Sequence, residues 1–302
     1  MHELLLRPLL LIKLYYYVCE EYNDYLRWNV QRFSSNQHEG KISDEEIITI
    51  YLFCVAYEEK YKVKSIHKHM SKYWKSWFPT LPSYQTFNDR LNRMAAVFPL
   101  FVERIIESHG QFPKEMDILI GDSLPIMTCS HKRAGKVAPQ LTSKGFCAVK
   151  KLHYFGSKLH LLGQRRSATI PFPKKVGVTP ASVHDLTALS PVLEVALAEA
   201  TFLDKAYCDK TLDLTMSNLG NQLMTPIKEV KAMCPLLKQF DKAYNELYNT
   251  AVSTIRQPIE SLFSWLIQLT NIQNASLVRS ENGLNIHIFG KLAAGLIVLA
   301  NF

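Results

Sequence analysis

The period of the apolar residues changes at about residue 114, and this change limits the folds open to the chain more than any other feature. Before it the pattern is helical. Ser43-Asp44-Glu45-Glu46 predicts a capping box, with Ser43 accepting from first-turn amides and Glu46 reaching back. The apolar run over 47–57 then predicts a core helix. Residues 64–74 predict a second helix with a basic face on which His67 and His69 are solvated. Pro79 and Pro82 interrupt an aromatic connection, and Ser83 predicts the N-cap of a helix over 84–98. That succession is helix-turn-helix-like. It sets Gln85, Asn88 and Arg90 where base edges or phosphates could be met, with Phe87, Leu91 and Met94 as the buried stripe. An ordinary amphipathic helix would show the same pattern.

After the change the chain reads as strands and then as strands alternating with helices. Residues 116–122 predict a central strand ending in an acid. Residues 154–162 and 169–179 are extended, joined by a hairpin connection at 164–167. A helix is expected over 185–200, a strand end at 202–204, a short helix over 212–219, and a strand over 222–228. Residues 244–269 read as helical, disturbed at Pro258. The expectation is an α/β class fold, a mixed sheet flanked by helices. An all-helical region over 1–112 precedes it, and the second unit covers 113–302. A length of 302 residues suits about two domains.

Composition excludes a disordered chain, with 47% apolar and 21% charged residues. The net charge of +8 is unevenly spread. Residues 1–110 are close to neutral, whereas Ser123 to His184 contains no Asp or Glu and eleven Lys or Arg. Lys132, Arg133, Lys150, Lys151, Lys158, Arg165 and Arg166 are among them. Such a stretch points to a polyanion, most simply nucleic acid. A solvated basic face is the other reading. The six cysteines are dispersed without the closely spaced pairs of a zinc site, as in an intracellular domain. The N-terminal apolar run is interrupted by Arg7, Pro8 and Lys13 and reads as an amphipathic helix rather than a leader. The nine-residue tail 292–300 is too short for a bilayer and reads as a buried helix, so no membrane role is expected.

Three acids stand in apolar surroundings: Asp122 in ILIGDS, Asp204 in TFLDKAY and Glu260 in IRQPIESLFSWL. Burying a carboxylate unpaired is unfavourable. Gathering several is worse, unless a cation lies between them. Mg²⁺ takes oxygen ligands of this kind, and a pair of such ions can serve an in-line phosphoryl displacement. Taken singly, Asp122 could end a strand or cap a helix, Asp204 could pair with Lys205, and Glu260 could bridge to Arg256 one turn earlier.

The blocks GDSLPI, KLHYFGSKLHLL, VTPASVHDLTAL, FLDKAY and IRQPIESLFSWL, in that order, resemble the DDE transposases of bacterial insertion sequences, and most of all the insertion sequence 982 group. The resemblance runs over residues 115–302. It implies a ribonuclease-H-like catalytic domain in which Asp122, Asp204 and Glu260, separated by 82 and 56 residues, bind two Mg²⁺ ions, with Mn²⁺ as a substitute. It implies strand cleavage at transposon ends and transfer of the 3′ hydroxyl into target DNA. The partners would then be double-stranded DNA carrying terminal inverted repeats, target DNA, and further copies of the chain in an oligomer on DNA. The place of action would be the cytoplasm and nucleoid. Arg256 and Lys205 would touch phosphates. His184-Asp185 lies in a matching block, where Asp185 is near the site or caps the next helix. Related enzymes carry Tyr, Arg, Glu and Lys around the acid. Here Arg256 matches, while Ser253 and Ile267 stand in place of Tyr and Lys. A DNA-binding protein without catalysis, or a nuclease without joining activity, are the alternative readings.

Overall fold

The computed structural model describes residues 2–30, 41–110, 118–130, 136–147, 150–193, 198–227 and 234–300. Its N-terminal part is helical: α1 (His2–Asp24), α2 (Asp44–Tyr57), α3 (Val63–Tyr73), α4 (Tyr84–Arg93) and α5 (Val97–His109). The capping box forms as expected. The Ser43 hydroxyl accepts from the Glu46 amide at 3.1 Å, and the Glu46 carboxylate accepts from the Ser43 amide at 2.6 Å. Behind it α2 is apolar all round and is buried from Ile47 to Ala56, as such a helix must be. The helix expected over 84–98 is two helices. Pro99 has no amide to bond the carbonyl four residues back, so it fits only the first turn of a new helix, and α5 supplies that turn. His67 and His69 are not solvated: His67 Nε2 lies 2.8 Å from the Pro82 carbonyl, and His69 Nε2 lies 3.0 Å from a Glu58 carboxylate oxygen.

Among the described residues six strands form one sheet: β1 (Ile118–Ser130), β2 (Ser143–Cys147), β3 (Leu152–Gln164), β4 (Phe172–Pro180), β5 (Ala200–Phe202) and β6 (Gln222–Met224). β3 runs antiparallel to β1. On its other edge its first half takes β2 and its second half takes β4. β5 is parallel to β1, and β6 is parallel to β5. An antiparallel group on one side of β1 and parallel strands on the other, flanked by helices, make the ribonuclease-H-like fold that the resemblance implied. β1 continues past Asp122 through Pro125. The Met127 amide donates to the Gln273 carbonyl at 2.8 Å, so residues of that parity turn their amides away from β3. Pro125 therefore lacks its donor on the side where β5 has already ended. Gly156 lies opposite Met127, where a Cβ would collide with the Ile126 carbonyl oxygen.

The helices after the sheet differ from expectation mainly at their ends. α6 (Asp185–Leu193) stops early: Ala198 and Glu199 are not helical and Ala200 opens β5, while residues 194–197 lie outside the described residues. α7 (Lys210–Asn218) is capped by the Asp209 carboxylate. β6 has three residues where seven were expected. α8 (Pro235–Arg256) starts at Pro235, which as the first helical residue loses no needed hydrogen bond, and α9 (Pro258–Thr270) follows across Gln257.

Two apolar layers hold the sheet. On one face Ile120, Leu124, Ile126, Leu159 and Leu161 pack with Ile259, Leu262 and Phe263 of α9. On the other, Leu119, Leu162 and Leu203 pack with Leu189 and Leu193 of α6 and Leu212 and Met216 of α7. The C-terminal tail is longer than expected. α10 (Glu281–Asn285), a π-helical turn (Ile286–Gly290) and α11 (Lys291–Leu299) form one rod packed on α2, α5 and α9. Among the described residues this is the one helix long and apolar enough to cross a membrane, and 67% of its most apolar window is buried inside the protein. Helices from both ends of the chain thus share one core. The boundary expected at 112/113 lies outside the described residues.

Lys291 is 1% exposed within that core and donates to the Asn271 carbonyl at 3.0 Å. Burial pulls its pKa down from 10.5 to about 7. Between those values the unfolded chain keeps a proton that the folded chain has released, so stability rises with pH across that window. Lys291→Met is expected to raise Tm at pH 7, with an advantage that narrows toward pH 10.5. Thermal denaturation followed by circular dichroism at several pH values would measure it, and an advantage that widened with pH would contradict the assignment.

Candidate active site

Asp122 lies in β1, and Asp204 stands two residues past the end of β5 at Phe202, just before the helical turn Lys205–Tyr207. The parallel pairing runs through Ile120 opposite Phe202. Asp122 and Asp204 each stand two residues further on, so alternation directs both from the face that carries Ile120 and Phe202. α9 covers that face with Ile259 and Leu262. Glu260 lies between those two residues. Three acids far apart in sequence are thereby brought to one region of the sheet.

The group that joins them is Arg256, at the C-terminal end of α8. Its Nη1 donates to Asp122 Oδ2 at 2.8 Å, and its Nη2 donates to Glu260 Oε1 at 2.6 Å. Arg256 is 14% exposed, Asp122 28% and Glu260 57%. The Ser123 amide donates to Asp122 Oδ1 at 2.7 Å. Burial pushes the Asp122 carboxyl up to about 6. The Ser123 amide and Arg256 oppose the shift, while the Asp204 and Asp185 carboxylates add to it. For Arg256 burial acts to lower the pKa, but Asp122, Glu260 and Asp204 outweigh it and hold the guanidinium above its ordinary value. The i,i+4 bridge to Glu260 read from the sequence is present, and the same guanidinium reaches Asp122.

A second polar group adjoins the first, on the α6 side of the sheet. Lys158 Nζ donates to Asp185 Oδ1 and to the Val183 main-chain carbonyl oxygen, both at 3.0 Å. His160 stands opposite Ser123 in the β1–β3 register. Its Nε2 lies 2.8 Å from Thr179 Oγ1, and its Nδ1 is 4.0 Å from Asp185 Oδ1. Burial lowers its pKa to about 4, against the pull of Asp185, and it is neutral at pH 7. Tyr207, 1% exposed, has a hydroxyl without a hydrogen-bond partner among the described residues. Burial raises its pKa, and Asp185, Asp122 and Asp204 raise it further. Sequence reasoning passed over His160 and Tyr207. Both stand inside the quoted blocks, GSKLHLL and FLDKAY, where an apolar pattern hides a buried polar group.

The basic residues expected on DNA divide into two sets. Lys150, Lys151 and Lys205 are exposed, with Lys150 Nζ on Gln273, and Gln85 is exposed on α4. Asn88 is half-buried, as is Arg165. Three others are turned toward the protein itself. Lys158 is on Asp185, Arg166 donates from Nε to the Ile170 carbonyl at 2.9 Å, and Arg90 binds the Ile42 carbonyl and the Asp44 carboxylate. Lys158 and Arg90 lie beside acceptors from distant parts of the chain, and Arg166 beside one four residues on. Lys132 and Arg133 lie outside the described residues. Of the altered signature positions, Ser253 joins Arg256, Gln257 and Glu260 in lining an open groove, and Ile267 packs against the core.

Among the described residues no three of His, Cys, Asp and Glu are gathered closely enough to hold a metal ion. Arg256 lies between Asp122 and Glu260 instead. The donor set is nonetheless that of a hard divalent cation: carboxylate oxygens, with Asp122 pushed toward its neutral form by partial burial and, in smaller part, by two further acids. A cation there would offset both effects on Asp122.

A family model described as Transposase DDE domain matches residues 112–276, more than half of the chain. The chain belongs to this family. Its function is of the transposase type, DNA cleavage and transposition, and the family generally uses divalent metal ions. A search of the curated proteins finds no match.

The raised Asp122 pKa carries a stability consequence. The folded value exceeds the ordinary 3.8, so ionising Asp122 opposes folding as pH rises from about 4 to about 6, and the penalty persists above that. Asp122→Asn keeps the shape and the Ser123 hydrogen bond. In metal-free protein at pH 7 it is expected to add on the order of 1–2 kcal/mol of stability, and the gain should vanish below pH 4. Millimolar Mg²⁺ should raise Tm for the natural chain and leave Asp122→Asn unmoved. Equal Mg²⁺ responses would remove Asp122 from the cation site.

Proposed function

We propose that the chain is an insertion-sequence transposase, of the insertion sequence 982 group, acting in the cytoplasm on nucleoid DNA. It cuts a phosphodiester at the transposon end and joins the freed 3′ hydroxyl to target DNA. The observation that supports this reading is the Arg256 guanidinium bound to both Asp122 and Glu260, with Asp204 near enough to add to its raised pKa. Asp122, Asp204 and Glu260 would hold two Mg²⁺ ions, or Mn²⁺ in their place. When bound, such ions neutralise charge developing on the attacking and leaving oxygens of an in-line displacement.

The chain's own groups position the substrate. Arg256, once its carboxylate partners turn to the cations, presents two N–H groups suited to a phosphate. Lys205, directly after Asp204, and exposed Lys150 and Lys151 supply backbone contacts that carry no sequence information. Residues 113–302 are the catalytic unit in this reading, and residues 1–112 contribute DNA binding and assembly, with Gln85 and Asn88 of α4 toward DNA. Binding then falls steeply with salt, in proportion to the phosphates contacted.

The test is a cleavage assay on a duplex that carries a transposon end. Asp122→Asn, Asp204→Asn and Glu260→Gln are each expected to reduce Mg²⁺-dependent cutting by about 10³-fold, the scale of losing an essential electrostatic group. Electrophoretic binding should stay within about threefold of the natural chain. Normal cutting by any of the three would overturn its catalytic role. Cutting without joined products on a supplied target would reduce the activity to that of a nuclease.

A further inference from the structure

α8 is 22 residues long, and Val252 is its one buried residue. From Pro235 to Ala251 no side chain is buried. An unsupported helix of that length is marginal in water, since most helical stability comes from covering an apolar face. α8 has such a face and leaves it bare. Leu236 is 64% exposed, Leu237 55%, Phe240 68%, Tyr244 87% and Leu247 83%. The spacing 237, 240, 244, 247 alternates steps of three and four, which is the seam of a helix pair. At on the order of 150 Å² each, the five side chains present roughly 800 Å², the area each partner contributes to a standard interface. A bare apolar patch of that size is a contact surface.

The stripe is also symmetric about residue 242. Leu237 mirrors Leu247, and Phe240 mirrors Tyr244. A twofold axis crossing the helix at that point seats Leu on Leu and Phe on Tyr in every layer, so a second copy of the same helix complements it. We propose that this face joins two copies of the chain through an antiparallel α8 pair. The direction follows from the attachment of α8. Its C-terminal end enters the body at Val252 and Arg256, so a parallel pair would crowd both bodies at one end, and an antiparallel pair sets them at opposite ends. α1 offers a competing stripe in Leu6, Leu9, Ile12 and Tyr16. Yet its opposite face is buried through Leu11, Leu14 and Val18, so α1 is held without a partner. The proposal does not depend on the assignment of the acids.

The experiment is sedimentation of the full chain without DNA at tens of micromolar, alongside Phe240→Glu, Tyr244→Glu and, as the α1 control, Leu9→Glu. The natural chain and Leu9→Glu are expected at twice the chain mass. Both α8 variants are expected at the chain mass with the thermal transition of the body retained, since neither position contributes to the core; any loss of helical circular dichroism should not exceed what the unpaired α8 accounts for. A monomeric natural chain, α8 variants that stay dimeric, or loss of the dimer by Leu9→Glu alone would each overturn the proposal. Direction is read by oxidative cross-linking in a Cys234→Ser background. A mixture of Leu237→Cys and Leu247→Cys should join and Leu237→Cys alone should not, whereas self-joining of Leu237→Cys would refute the antiparallel arrangement.

Discussion

Like charges held close together must be balanced, and in this protein the balance is one guanidinium. Two carboxylates about 4 Å apart repel by roughly 4 kcal/mol at an effective dielectric near 20. Burial is the main cause of the raised Asp122 pKa, and the neighbouring Asp204 and Asp185 carboxylates add to it. Arg256 answers it by binding Asp122 and Glu260 together. Arg256 reaches Glu260 as an i,i+4 neighbour, because Gln257 between α8 and α9 keeps right-handed helical backbone. The same guanidinium reaches Asp122 on β1 with its other nitrogen, so a single cation addresses a strand acid and a helix acid at once.

The elements that were legible in the sequence are those set by local chemistry. The capping box at Ser43, the hairpin between β3 and β4 and the restart at Pro258 each depend on residues within one turn or one strand, and each was readable. The family blocks added their order, which the acids alone did not provide. What was not legible depends on partners remote in sequence. Lys158 in the acid-free stretch finds Asp185 just beyond it, and Arg90 finds Asp44 across 46 positions. No periodicity announces such pairs, so side chains that looked free for DNA are committed within the fold. The strand expected to end at Asp122 runs on through Pro125, which β1 tolerates because it has lost its β5 neighbour by that point.

The same limit applies to organisation. The change of period near residue 114 suggested two units. The core does not follow it, because α11 from the C-terminus packs between α2 and α5 from the N-terminus. A helix apolar on every side, such as α2, needs cover on every side, and the first 110 residues alone do not provide it. Closing the core therefore requires the end of the chain, which also brings the buried Lys291 inside.

α8 combines the two unfinished features of the structure. At its C-terminal end Arg256 occupies the acids that a divalent cation would claim; along its N-terminal half an apolar stripe lies bare. Residue 242 and Arg256 are 14 positions apart, which at 1.5 Å per residue is about 21 Å of rigid rod. In a symmetric pair the two Arg256 side chains would then be separated along the helix axis by about twice that distance, at opposite ends of one shared element. Two active sites held at a fixed spacing suit a reaction that must handle two DNA ends, because a rod transmits the position of one site to the other without a flexible linker. The long exposed helix is then a spacer, and its lack of burial within one chain is the condition for that use.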